Sequence, residues 1–197
     1  MKLNFETQRV FFSSDFHFGH SNVIKFDNRP FVDSDEMDET LINNWNSIVK
    51  KDDIAFFLGD FSFKGSQFTK DKADRLNGII YFVLGNHDKY NAIKKLNRFA
   101  DVRDYYQIGI RDEDSISTRG SKGYQKIILS HYPMMSWDKM HHGVWHLHGH
   151  THGNLLKNNL EFRDFYYTHK VMDVGCNCIG YEPISYVEIK NIFKDRI

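Results

Sequence analysis

Cysteine is nearly absent from this 197-residue chain, and the two that occur, Cys176 and Cys178, sit only two positions apart. That is too few for a disulfide framework, and a lone C-x-C supplies half a zinc site at best. The pair reads as two small thiols packed near the core of a cytoplasmic protein. Net charge is absent as well, since 26 basic and 26 acidic residues cancel. This excludes a general basic surface for nucleic acid and leaves room only for a local patch. No apolar run approaches the roughly 18 residues that span a bilayer, and Met1 to Glu6 lacks the apolar segment of a signal peptide. No membrane partner is expected.

Aromatic residues and histidine are what the chain has in quantity. With 17 Phe and 10 Tyr among 41% apolar residues there is enough for one sizeable core. The length suits a single domain over 1–197, with no internal repeat, low-complexity tract or linker. Of 11 histidines, six fall between positions 141 and 152, an excess that a neutral chain does not otherwise need.

Apolar runs alternate with amphipathic stretches, the mark of a layered α/β domain. Arg9 to Ser14 reads as a buried strand ending at Asp15. Over 35–50, Met37, Leu41, Ile42, Trp45, Ile48 and Val49 share one helical face; acids crowd the first turns and Lys50 and Lys51 close the helix, as its dipole prefers. Ile54–Leu58 and Ile79–Leu84 read as further buried strands, with helices over 67–77 and 90–98. The second half predicts strands at 105–110, 126–130, 144–148 and 171–174 and a polar hairpin tip near 111–125. Pro183 opens a short helix or turn carrying Ile184, Val187 and Ile189.

Three of these strands end in Asp15-Phe16-His17, Gly59-Asp60 and Gly85-Asn86-His87-Asp88. In open α/β sheets, ligands bind at the carboxyl ends of strands. The period-2 spacing sends Asp15 and His17 to one side of an extended segment. Later, Ser130-His131-Tyr132-Pro133 and Gly149-His150-Thr151-His152-Gly153 also follow apolar runs. Asp-x-His or Gly-Asp alone is ordinary turn chemistry, but two imidazoles at i, i+2 between glycines serve little purpose in a core. Carboxylate, imidazole and amide together form an oxygen/nitrogen set suited to manganese, iron, zinc or nickel. The seven donors Asp15, His17, Asp60, Asn86, His131, His150 and His152 exceed what one tetrahedral zinc needs. Two cations sharing a bridge are therefore expected, and Asp60 is the natural bridge because a carboxylate has two oxygens.

The blocks D-x-H, G-D, G-N-H-D, S-H-Y-P and G-H-T-H, spanning residues 15 to 152, resemble those of the calcineurin-like metallophosphoesterase superfamily. The tail, Asp173-Val174-Gly175-Cys176-Asn177 with Gly180-Tyr181 and Pro183-Ile184, resembles the last core strand and its exit. The resemblance implies a four-layer αββα sandwich of two mixed β-sheets flanked by helices, with a dimetal site at its rim. It implies that Asp15, His17, Asp60 and His152 hold one divalent metal ion and Asp60, Asn86, His131 and His150 the other. Manganese is the first expectation, with iron, zinc, nickel and cobalt as alternatives. His87 would face the leaving group. Where the protein-phosphatase branch carries G-D-x-V-D-R-G, Phe63 and Lys64 replace the acid and the arginine, which disfavours a phosphoprotein substrate. The block Asp15 to Asn22, with Arg29-Pro30-Phe31, is instead similar to the small prokaryotic and phage branch.

The expected reaction is in-line displacement at phosphorus by a hydroxide shared between two cations, with Asp60 and His87 as the catalytic pair and His87 as general acid. A phosphodiester of a small, flexible, nucleotide-type substrate is favoured over a broad duplex; a phosphomonoester, or a non-catalytic interaction module, is the alternative. Arg29 is a candidate phosphate clamp or else a surface salt bridge. His20 and Asn22 are candidate substrate contacts or turn residues. Asp88 either holds His87 or caps a turn. Lys64 and Arg119 are solvated or reach a phosphate, and His141, His142, His146, His148 and His169 are not expected among the primary ligands. Oligomeric state is left open.

Overall fold

Residues 3–115 and 123–196 are described by a computed structural model of the protein. In chain order its elements are β1 (Leu3–Phe5), β2 (Val10–Ser13), α1 (Ser21–Phe26), α2 (Ser34–Ile48), β3 (Ile54–Phe57), α3 (Ser66–Asp74), β4 (Ile79–Val83), α4 (Tyr90–Lys95), β5 (Asp101–Arg103), β6 (Tyr105–Arg111), β7 (Tyr124–Ser130), β8 (Trp145–His148), α5 (Asn154–Asn158), α6 (Leu160–Thr168), β9 (Val171–Asp173), β10 (Ile184–Ser185) and α7 (Tyr186–Ile192). One five-stranded sheet has the order β1-β6-β7-β8-β9 and the other β10-β2-β3-β4-β5. Both are mixed: β2 to β5 run parallel with β10 antiparallel at the edge, and β6–β7 is the antiparallel pair of the other sheet.

Strand alternation sorts the apolar side chains into layers. Phe12, Phe56, Leu58 and Val83 meet Tyr106, Ile127, Leu129 and Leu147 between the sheets. Phe11, Ala55, Phe57 and Phe82 point the other way, onto Met37, Leu41 and Trp45 of α2. Because both faces of β2 and β3 are covered, those strands read as unbroken apolar runs. On the far side, Ile128 and Val171 pack against Phe162 and Tyr166 of α6. The result is the expected αββα sandwich. Trp45 is fully buried, with its indole N–H donating to the Asn77 carbonyl at 2.9 Å; truncating it to Ala would cost about 3–5 kcal/mol.

The Asp33 carboxylate caps α2 by accepting from Asp35 N and Glu36 N, and Ser185 and Glu188 form a reciprocal capping box on α7. The expected C-terminal helix or turn is a short strand at Ile184–Ser185 followed by a helix, with Ile189 buried and Val187 exposed. Six elements go beyond the sequence expectation: β1, α1, β5, α5, α6 and β10. Residues 116–122 of the expected hairpin tip, Arg119 among them, lie outside the described residues. No helix among the described residues is long and apolar enough to cross a membrane.

Candidate metal centre

The parallel strands β2, β3 and β4 end side by side, so the turns after them share one rim. Pairing continues past the strands: Asp15 N donates to Gly59 O at 3.0 Å, His17 N to Asp60 O at 3.1 Å and Phe18 N to Phe61 O at 2.9 Å. A bridge between Ser14 and Gly175 ties this rim to the other sheet. Five predicted ligands take left-handed backbone: Asp15, His17, Asp60, His150 and His152, with φ of 59°, 54°, 56°, 70° and 49°. Non-glycine residues adopt this region at a cost, and such strain clusters at functional sites. Two glycines let the turns close together. A Cβ on Gly59, itself at φ +95°, would lie 2.7 Å from His131 Nδ1, and one on Gly149 would lie 2.4 Å from Asp15 Oδ2.

Two groups of donors result, Asp15–His17–His152 and Asp60–His131–His150, the ligand atoms of each lying within 4.8 Å of one another. His17 Nε2 and His152 Nε2 are 3.2 Å apart, and His152 Nε2 lies 3.5 Å from Asp15 Oδ1. Asp60 Oδ2 lies between the groups, 3.7 Å from His17 Nε2 and 3.6 Å from His131 Nε2. Asn86 Oδ1 is 3.0 Å from His131 Nε2. His131 Nδ1 is 2.7 Å from the Leu58 carbonyl. That oxygen only accepts, so Nδ1 carries the proton and Nε2 turns a lone pair toward Asp60 and Asn86. The seven predicted donors are thus brought to one place. His141, His142, His146, His148 and His169 belong to neither group.

Electrostatics agree with a cation site. Burial takes His17 down to about 3 despite the nearby Asp15, leaving a neutral imidazole. Burial also works against a charge on His152, yet its contacts with Asp15 and Asp27 carry it up to about 10. Asp15 sits well below the usual carboxylate range: burial would raise it, but His152, His131 and His17 outweigh that. A buried carboxylate pair that keeps a half-buried imidazole protonated is short of positive charge. The oxygen and nitrogen donors present fit divalent cations.

Arg29 departs from the expected phosphate clamp. Its side chain is fully buried and faces away from the cleft. Nε and Nη2 donate to Asp27 Oδ2 at 3.0 and 2.9 Å, Nη2 to the Asp15 carbonyl at 3.0 Å and Nη1 to that of Phe16 at 3.1 Å. Asp27 Oδ2 in turn accepts from His152 Nδ1 at 2.7 Å. Arg29 therefore braces the strained Asp15 turn and, through Asp27, a metal-site imidazole. Asp88 does not hold His87: its carboxylate accepts from Asp60 N at 2.7 Å, Gly85 N at 2.9 Å and Phe61 N at 3.3 Å. His20 lines the cleft and stacks on Phe63, with centroids 4.0 Å apart and planes 10° apart. Asn22 is exposed on α1 and outside the cleft lining. Asp27, Phe63, Asp173 and Asn177 were not anticipated. Asp173 accepts from Thr151 Oγ1 at 2.6 Å, and Asn177 Nδ2 donates to the His152 carbonyl at 3.0 Å. Both lie in the tail segment after β8, whose sequence marked the last core strand and its exit.

No family profile matches the chain. An uncharacterized protein of Methanocaldococcus jannaschii is 33% identical over 193 residues, covering 96% of this chain and 94% of that protein. The gene 66 proteins of two Mycobacterium phages are 28% and 29% identical, over 77% and 75% of this chain and 82% and 79% of theirs. A crystal structure of a protein of unknown function from Aquifex aeolicus shares the fold, with a TM-score of 0.67 at 24% identity, covering 94% of this chain and all of that one. The fold and these two donor groups match the calcineurin-like metallophosphoesterase architecture, and at 33% identity over 96% of its length the chain belongs to one family with the Methanocaldococcus jannaschii protein. Two intact donor groups on this fold support a metal-dependent hydrolase over a non-catalytic module.

Proposed function

We propose that the protein is a phosphodiesterase for a small or flexible, nucleotide-type substrate. The observation that carries this reading is the shape of the cleft around His87. A cavity of about 430 Å³ lies over the two donor groups, walled by His20, Phe26, Phe63 and His150. A second, of about 360 Å³, lies beyond Phe63 and His87, which line both. A diester carries a group on each side of phosphorus, and this cleft has room on both; a monoester uses one.

Asp15, His17, Asp60 and His152 would hold one cation and Asp60, Asn86, His131 and His150 the other. Two bound divalent ions, manganese foremost, supply Lewis-acid neutralisation of the phosphoryl oxygens and activation of water. His87 is the proton donor. Its backbone N–H is fixed by Asp60 Oδ1 at 3.0 Å, while its half-exposed ring, with Nε2 3.9 Å from Asp60 Oδ2, is free to deliver a proton to the departing oxygen. His20 faces substrate from its stack on Phe63, whereas Arg29 acts through Asp27. The shared interior between the sheets supports one domain over residues 1–197, and the free thiols Cys176 and Cys178 fit a reducing, cytoplasmic setting.

The test is hydrolysis of bis(p-nitrophenyl) phosphate and p-nitrophenyl phosphate by the protein with added manganese. Diester hydrolysis is expected to exceed monoester hydrolysis and to stop on chelation. A preference for the monoester would replace this reading with a phosphomonoesterase, and full activity in demonstrably metal-free protein would overturn the metal dependence.

A further inference from the structure

The cavity beyond His87 has a chemistry of its own. Its floor is apolar, formed by Ile93 and Leu96, with the Phe63 ring as the wall toward the metal centre. At its rim stand Lys64 and Lys89, both exposed, and neither ammonium pairs with an acid among the described residues. The carboxylate on this wall, Asp88, is already occupied by three backbone N–H groups. The chain carries no net charge, so two unneutralised cations on one pocket are a local feature and not part of a general basic field. His87 stands between this pocket and the donor groups, and an acid that protonates a leaving group has that group on its far side.

We infer that this pocket receives the leaving group, and that it selects a leaving group bearing a second phosphate: a nucleotide in preference to a nucleoside or a simple alcohol. The inference rests on the phosphodiesterase reading for the direction of cleavage. The sugar and base lie over Ile93, Leu96 and Phe63, and the extra phosphate meets Lys64 and Lys89. Sites of this kind combine an apolar body with a few placed polar groups.

Two measurements test it. In the first, a dinucleoside monophosphate is compared with the same compound carrying a terminal phosphate on its leaving nucleoside. The phosphorylated substrate should have the higher kcat/KM by about tenfold or more, the size of one charge-assisted hydrogen bond. That ratio should fall to about one in the double variant Lys64→Ala, Lys89→Ala, and equal ratios in wild type and variant would overturn the assignment. The second uses chelator-treated protein, so that hydrolysis plays no part: AMP should bind more tightly than adenosine by NMR titration at low salt, with the preference lost in the double variant. If AMP binds in this way but no diester is cleaved, the pocket stands and the phosphodiesterase reading fails. If diesters are cleaved but AMP and adenosine bind alike, or the variant keeps the preference, the pocket assignment fails and the phosphodiesterase reading stands.

Discussion

The two donor groups contain the same residue types, yet they differ in how their outermost imidazole is held: His152 is gripped and His150 is not. In the first, Asp15 and His17 are buried, and His152 is gripped at Nδ1 by an Asp27 that Arg29 holds with two nitrogens. In the second, Asp60 and His131 are equally deep, but His150 is exposed, and its imidazole makes no hydrogen bond among the described residues. Its ring meets those of Tyr132 and His131, with centroids 4.5 and 5.1 Å away. Preorganisation is therefore divided unevenly across the site. A cation held by the first group would find His152 already gripped, whereas one held by the second would have to fix the His150 imidazole, and ordering a loose group costs affinity. The first cation should exchange slowly and the second quickly.

The largest effect is expected where the comparison breaks down, at Asp60, whose Oδ2 faces both groups. Asp60→Asn should lose several kcal/mol of transition-state stabilisation, more than about 10³-fold in kcat/KM. Elemental analysis should find no more than one tightly held metal per chain; two would remove Asp60 as the shared ligand. Next is His87, which belongs to neither group. His87→Ala should keep both metals and lose about 10²–10⁴-fold on nucleoside leaving groups, but far less on nitrophenyl esters, whose anions leave without a proton. An equal fall on both would mean that His87 acts through phosphate binding or geometry. The smallest effect sharpens the comparison. Asp27→Asn should weaken the braced site alone, by about 10–100-fold, visible as a change in one of two steps in a manganese titration. A matching change in both steps would show that the brace serves the whole centre.

Much of this site was legible in the sequence because its donors follow apolar strands at short, fixed spacings. A strand end is a rigid platform, and Asp15, Asp60, Asn86, His131, His150 and His152 each stand just beyond one. What supports the donors was not legible. Arg29 reads as a surface group until its environment is known; only the acid two positions earlier, Asp27, hints at burial as a pair. Among the elements, β1 and β5 have three residues each, too short for any periodicity to register. Helix α6 buries just Phe162 and Tyr166, one turn apart, and its Asn159 cap lies in a polar stretch that reads equally as loop. Tertiary packing, more than local preference, decides such elements.

The left-handed backbone at five ligand positions sets folding and chemistry against each other. Glycine enters that region freely, whereas a residue with a Cβ does so at roughly 1 kcal/mol or more. At residues 15, 17, 60, 150 and 152 the backbone is thus less comfortable with the candidate metal-ligating side chains than with no side chain at all. The usual rank of substitutions is reversed there: glycine, not alanine, would be the less disruptive replacement for the apoprotein. That aspartate and histidine occupy all five places the backbone cost of these turns on the same residues that form the two donor groups.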